Sequence, residues 1–337
     1  KQKTAYEMLR SLVGSEMCIR DRCWISRTTT CVIAGGVSLI QELHMREQAM
    51  HITLKTLTPL WTGGVDQTCD RLHETGLIGS LRWWYEALVR GLGGYACDPT
   101  GEDRCPDKDG NRCVACELFG CTGWARKFRL RVLDEQGKLV QSVSAGQTLR
   151  VEFIELRQMV DEEKWLLSKT IEIAAKYGAL GGKTTLKPQK YQRKGADMGI
   201  VSIVSANTTN SLKRPDNSFF VKYRKVTPKG APDLRWFFFV EGAFLWRKQM
   251  NHLLGQGEKG IPTSNAKDWQ GFLRGRRGSA TEEAVSKKLF SFRAGGGRIW
   301  GYARDRQMRD TIVEEIQRTL GKGNYTVKTG EKVLHEL

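Results

Sequence analysis

Four cysteines, Cys97, Cys105, Cys113 and Cys116, follow the pattern C-x7-C-x7-C-x2-C in a stretch rich in Asp, Gly and Pro that has little to pack. Thiolates are soft ligands. Four of them close a tetrahedral zinc site at about 2.3 Å per bond and leave no position for water. A zinc held this way is structural and would order an insertion that has no core of its own. The closing C-x2-C pair supplies the tight chelating half of the site. Cys121 follows the apolar run Leu118-Phe119-Gly120 and fits a small core residue better than a ligand. Four free thiols in a floppy loop are the bland alternative.

A second group with possible chemistry lies between Gly64 and Gly79, where a polar loop carries Asp66, Asp70 and His73. A lone carboxylate can assist a divalent metal or position a 2′-hydroxyl, but the sequence offers no second acidic cluster to hold a two-metal site. A metal-independent route would need a general base, and His73 and His252 are the available imidazoles. Loop acids are mostly only solvated, and a lone His is more often structural. The chain therefore reads as a binding protein and not an enzyme, with Asp66 and Asp70 the positions where any cleavage of RNA would reside.

The third group is the run GALGGKTTLKPQKYQRKG over residues 178–195, in which flexible glycines alternate with cations suited to gripping phosphates. Its Gly182-Lys183-Thr184 suggests a nucleotide-binding P-loop. That motif needs four residues between its glycines, Gly178 leaves three, and the run follows a helix where a strand is required. Arg82 and Arg90, one turn either side of Glu86, are either a surface ion-pair ladder or further phosphate contacts.

Charge points the same way. The chain carries 54 Lys and Arg against 37 Asp and Glu, a net +17 that favours a polyanionic partner, with nucleic acid foremost. Residues 1–22, at the start of a segment 1–44, read as neither a signal nor a transit peptide. They look like translated sequencing-adaptor read-through followed by upstream sequence as far as Met45 or Met50. Setting the whole segment aside removes six basic and four acidic residues and leaves +15. No run of 18 apolar residues offers a membrane span. An odd number of cysteines fits a reducing compartment, the cytoplasm, better than a secreted disulfide framework. Ten Trp and eight Tyr are either core or platforms for stacking bases between the cations.

The elements that must position these groups follow from periodicity. Residues 52–61 alternate as a strand ending at Gly63 and Gly64. Ser80 then caps a helix whose stripe is Leu81, Trp84, Tyr85, Leu88 and Leu92. Residues 127–133 and 149–156 alternate as strands, Asp161 opens a helix that stops at Gly178, and residues 200–204 form a fourth strand. Strand, helix, strand, strand, helix, strand is the ferredoxin-like split βαβ order. An α+β chain of two ferredoxin-like (RRM-like) domains is expected, at 50–206 and 207–337. The first would carry the zinc-binding insertion at 95–124 and the Gly/Lys-rich loop at 178–195. In the second half, strands are expected near 219–226 and 236–240, a helix from about 242 to 254, a hairpin over FSFRAGGGRIWGYAR, a helix over 310–320 and a last strand in YTVKTGEKV.

With TPLWTGG, ETGLIGSLRWWYEALVRGLGG and CELFGCTGW in place, the chain from about Met50 to Leu337 resembles the RAMP superfamily of CRISPR effector subunits, most closely the first subunits of type III-B Cmr complexes. The resemblance implies two ferredoxin-like domains, other Cmr or RAMP subunits as partners, and contact with CRISPR RNA near its 3′ end and with target RNA in antiviral defence. It also implies a glycine-rich RNA-contacting loop, which falls here on Gly181, Gly182, Lys183 and Lys187. Lys190 and Arg193 lie in the same run. This loop reads GGKTTLKPQK, departing from the usual arginine-glycine form. Competing readings are an RNA-cleaving RAMP subunit that uses a loop aspartate and a free-standing zinc-containing RNA-binding module.

Overall fold

The computed structural model describes residues 49–64, 68–182, 197–207, 212–226, 228, 230–257, 260–276, 278 and 285–337. Its first sheet comprises β1 (Met50–Thr56), β2 (Phe128–Leu133), β3 (Thr148–Glu155) and β4 (Val201–Ala206), with spatial order β2-β3-β1-β4 and every pairing antiparallel. Helices α1 (Glu74–Gly91) and α3 (Asp161–Tyr177) cover one face, and the short α2 (Val114–Phe119) closes the cysteine insertion. This is the ferredoxin-like arrangement. The alternation in β1 is realised side chain by side chain: Met50, Ile52 and Leu54 point into the core, and His51, Thr53 and Lys55 face away.

The second sheet repeats the topology. Its strands are β5 (Phe237–Glu241), β6 (Leu289–Phe292), β7 (Arg298–Tyr302) and β8 (Thr326–Thr329), in the order β6-β7-β5-β8. Helices α5 (Arg247–Leu253), α6 (Asp268–Arg274) and α7 (Arg306–Leu320) accompany it, and α8 (Gly330–Glu336) ends the chain.

The two faces of the second sheet differ in what they bury. Phe238, Val240, Leu289 and Ile299 pack with Leu253, Leu273 and Ile312 of its own helices. Phe237, Phe239, Phe292, Trp300 and Tyr302 belong instead to the core of the first domain. There Trp83 and Trp84 of α1 meet Phe237 at ring-centroid separations of 5.8 and 5.7 Å, and Tyr177 of α3 meets Phe239 at 4.9 Å. The second sheet therefore lies across the helices of the first domain. Arg298 of β7 fixes the contact by donating to the carbonyls of Ala175 and Gly178, at 3.0 and 2.8 Å, where the end of α3 leaves them unpaired.

Several expected boundaries move. β1 ends at Thr56, because Leu57 and Thr58 turn their N–H groups to the carbonyl of Ile200 and leave the β1–β3 ladder. The first helix starts at Glu74 with His73 at its N-cap, so Ser80 lies inside it and its hydroxyl serves another purpose. Residues 219–226 form no strand. Asp216 accepts the N–H of Phe219 at 3.1 Å and starts the single turn α4 (Asn217–Phe220), and the chain then crosses to the cysteine insertion, where the Arg224 N–H reaches the carbonyl of Arg112 at 2.8 Å. Residues 271–274 of the basic run GFLRGRRGS finish α6.

Candidate functional site

The four thiols come together as one buried group. Cys97, Cys105, Cys113 and Cys116 are each 4 % exposed or less, and their sulfur atoms all lie within 4.8 Å of one another. A tetrahedron of about 2.3 Å metal–sulfur bonds sets its sulfurs about 3.8 Å apart, and the Cys97 Sγ separations of 3.4 Å to Cys116 and 3.7 Å to Cys113 match that shape. Backbone N–H groups of Cys97 and Cys116 point at the Cys113 sulfur, and that of Cys113 points at the Cys105 sulfur. Hydrogen bonds among the four thiols pull Cys105 and Cys113 below the ordinary range and push Cys97 and Cys116 above it, so the group titrates as one unit. Cys121 is partly buried against the same core and stands outside the ligand set.

Two guanidinium groups, neither identified with the metal from sequence, complete this centre. Arg82 Nη2 donates to Cys116 Sγ at 3.1 Å, its Nη1 to the carbonyl of Gly120 at 2.9 Å and its Nε to Glu86 at 2.8 Å. Arg224 donates to Cys105 Sγ at 3.6 Å and to the carbonyls of Asp103 and Arg104. Although burial opposes charge on Arg82, Glu86 and the thiols of Cys116 and Cys97 raise it above the ordinary arginine range. Arg90 is equally committed. It binds the carbonyls of Ala96 and Cys97 and that of Pro232 in the chain leading to the second sheet. Of the two readings of Arg82, Glu86 and Arg90, the ion-pair ladder is present, but it is buried inside the molecule. The donors that phosphate contact would use are already spent.

A second centre lies where three backbone segments meet at one end of the first domain. Gly182 N–H donates to the Trp61 carbonyl at 2.8 Å, Gly199 N–H to the Pro59 carbonyl at 2.8 Å and Leu180 N–H to the Gly199 carbonyl at 2.8 Å. Both feet of the glycine-rich loop are thus clamped by TPLWTGG. Gly181 is obligatory at this crossing: it has φ of +82°, its N–H reaches Ser80 Oγ at 3.1 Å, and a Cβ would stand 2.6 Å from the Trp61 oxygen. Where the loop returns, Asp197 accepts the N–H groups of Arg293 and Ala294 and ties it to the β6–β7 hairpin. Lys183, Lys187, Lys190 and Arg193 lie outside the described residues.

Beside this crossing, Gly64 N–H donates to the Thr68 carbonyl at 2.9 Å, and Asp66 falls outside the described residues. Asp70 accepts from His73 Nε2 at 2.8 Å, and this bond holds its carboxyl below the usual range. The side chain of Asp70 is 63 % exposed and that of His73 17 %. A base oriented by a carboxylate has the reverse arrangement, with the imidazole at the accessible side. His252 stands apart on α5 in the second domain.

The uncovered face of the first sheet presents Lys55, Arg129, Arg131 and Arg150 together with His51. Glu152 stands opposite both Arg131 and His51 and binds Arg150 Nε at 3.0 Å. No Phe, Tyr or Trp stands on this face among the described residues. Its cations were detectable from sequence, because Arg129 and Arg131 occupy the polar positions of an alternating strand.

The chain thus combines two ferredoxin-like domains, a basic sheet face, a clamped glycine-rich loop and a four-thiol insertion. Residues 53–186, which lie within the first domain, match the model of the RAMP superfamily. A chain in the cryo-EM structure of the type III-B Cmr-beta complex bound to cognate target RNA is 12 % identical over 81 % of this chain and 99 % of its own, with a TM-score of 0.48. A chain of a type IV-B CRISPR complex is 14 % identical over 52 % of this chain and 97 % of its own, with a TM-score of 0.34. No curated protein matches the sequence.

Proposed function

We propose that this protein is a non-catalytic RNA-binding subunit of a type III-B CRISPR effector complex, contacting CRISPR RNA near its 3′ end or the target RNA, with a structural zinc in its cysteine insertion. The observation that carries the reading is the basic sheet face of the first domain, opposite the helices and on the same domain as a clamped glycine loop. Lys55, Arg129, Arg131 and Arg150 suit a phosphate backbone, which is the part of a guide strand a subunit can hold without reading its sequence. The motifs TPLWTGG and CELFGCTGW give the assignment to the Cmr branch, with other RAMP subunits as partners. Four thiolates in a tetrahedral cluster favour zinc among the common metals.

The test is affinity for single-stranded RNA as a function of salt, which should fall with a log–log slope of roughly −0.7 per phosphate contacted. Binding indifferent to salt would sink the proposal. The competing reading, cleavage through a loop carboxylate, has one supporting observation, the Asp70–His73 pair near Gly64. We expect the assembled complex to process matched RNA identically with Asp66→Ala or Asp70→Ala. Loss of cutting at one site in either variant would make the subunit a nuclease. Purification of the tagged protein from its host without CRISPR RNA or RAMP partners would favour a free-standing module.

A further inference from the structure

Between α1 and the inner face of the second sheet lies a cavity of about 230 Å3, lined chiefly by Trp83, Trp84, Phe290, Trp300, Tyr302 and Lys287. Its walls are flat. Phe290 and Trp300 stack with centroids 4.2 Å apart and planes 21° from parallel, while Trp83 stands edge-on to Trp84 at 5.0 Å and 89°.

The polar groups around it are donors. Lys287 pairs with no carboxylate among the described residues; its ammonium meets only the Met250 sulfur at 3.8 Å and the Phe290 ring, and burial pushes it down to about 8. Ser80 accepts the Gly181 N–H and keeps its own hydroxyl hydrogen to give. No acidic side chain among the described residues lines the space. Flat apolar walls with donors at the edges complement a planar heterocycle that carries carbonyl and ring-nitrogen acceptors.

Size and place agree with that ligand. An apolar cavity of about 150 Å3 takes benzene, so this one has room for a substituted ring. Gly181, at the foot of the loop assigned to RNA contact, is also one of its walls. We infer that the cavity receives one unstacked nucleobase of the bound RNA strand, supplying broad aromatic walls to a protein whose basic sheet face shows no Phe, Tyr or Trp among the described residues; this rests on the RNA-binding reading above.

The experiment uses the full chain and a single-stranded oligouridine carrying one 2-aminopurine, with affinity read from the anisotropy of an end label and base environment from 2-aminopurine fluorescence. Binding should quench the fluorescence severalfold. Ser286→Leu, a change at an exposed lining residue that fills the space, should restore the fluorescence and weaken binding about 5- to 150-fold, the range for losing one base–aromatic stack, with the salt slope unchanged. Lys287→Met should weaken binding in the same direction and leave the far-ultraviolet circular dichroism as in the wild type. RNA bound without quenching, or bound equally well by both variants, would overturn the pocket and leave the RNA-binding function standing. Absence of RNA binding altogether would remove both.

Discussion

Arg82 and Cys116 are joined by a 3.1 Å hydrogen bond from guanidinium to sulfur that runs from the first helix of the first domain into the cysteine insertion. A cation placed there offsets the negative charge of four thiolates, so outer partners of this kind tune metal affinity. Arg82→Met should lower zinc affinity about 10- to 100-fold, measured by competition with a chromophoric chelator. Arg224→Met, which leaves Glu86 untouched, should lower it in the same direction. Zinc held as tightly by both variants as by the wild type would show that the two arginines only pack.

Lys127 bridges two helices through their acids. Its ammonium lies 3.1 Å from Glu117 on α2 and 2.9 Å from Glu163 on α3, and the Glu163 side chain is 1 % exposed. Burial raises the Glu163 carboxyl above its ordinary value despite the lysine, so removing the cation leaves an acid that ionises only at a cost. Lys127→Met should destabilise the protein by about 3–5 kcal/mol in urea unfolding. The double variant with Glu163→Met should recover much of that. A single-variant loss below about 1 kcal/mol would mean that water reaches the pair.

Gly181 should not tolerate a side chain. With positive φ and a backbone oxygen 2.6 Å from the Cβ position, Gly181→Ala should cost about 1–3 kcal/mol locally and release the clamp on Trp61. Hydrogen exchange should quicken at the amides of Gly182 and Gly199, and RNA affinity should fall with no change in the cysteine centre. Unchanged exchange at both amides would contradict the clamp.

Lys287 gives the stability a pH dependence with a defined sign. Burial holds it at about 8, against an ordinary 10.5, so within that window the unfolded chain keeps a proton that the folded chain has lost. Stability then rises with pH across the window, and below it the cost of burying the charge is complete. Lys287→Met should accordingly be the more stable protein at pH 7 and lose its advantage as pH approaches 10.5, followed by thermal unfolding. A difference between the two proteins that does not vary with pH would place the ammonium in water.

Periodicity revealed most of this fold because the first domain's strands each bury one face: Ile52, Leu54, Val151 and Phe153 announce β1 and β3 by alternation alone. The spacing of Cys113 and Cys116 likewise pointed to the metal ligands. What stayed hidden depends on contacts between distant segments. In FFFVE both faces are apolar, so nothing local separates Phe238, which meets its own helices, from Phe237 and Phe239, which meet α1 and α3. Arg82 and Arg90 show the limit most plainly. Their spacing gives the shared helix face, and only the fold of residues 95–124 around that face shows that it is buried.

The crossing of the second sheet over α1 also bears on how the chain is made. Trp83 and Trp84 leave the ribosome long before their partners Trp300 and Tyr302 exist. At about 5–20 residues per second the interval is roughly 10–40 s. Throughout it the nascent first half displays the Trp83 and Trp84 face of its first helix without the sheet that will cover it.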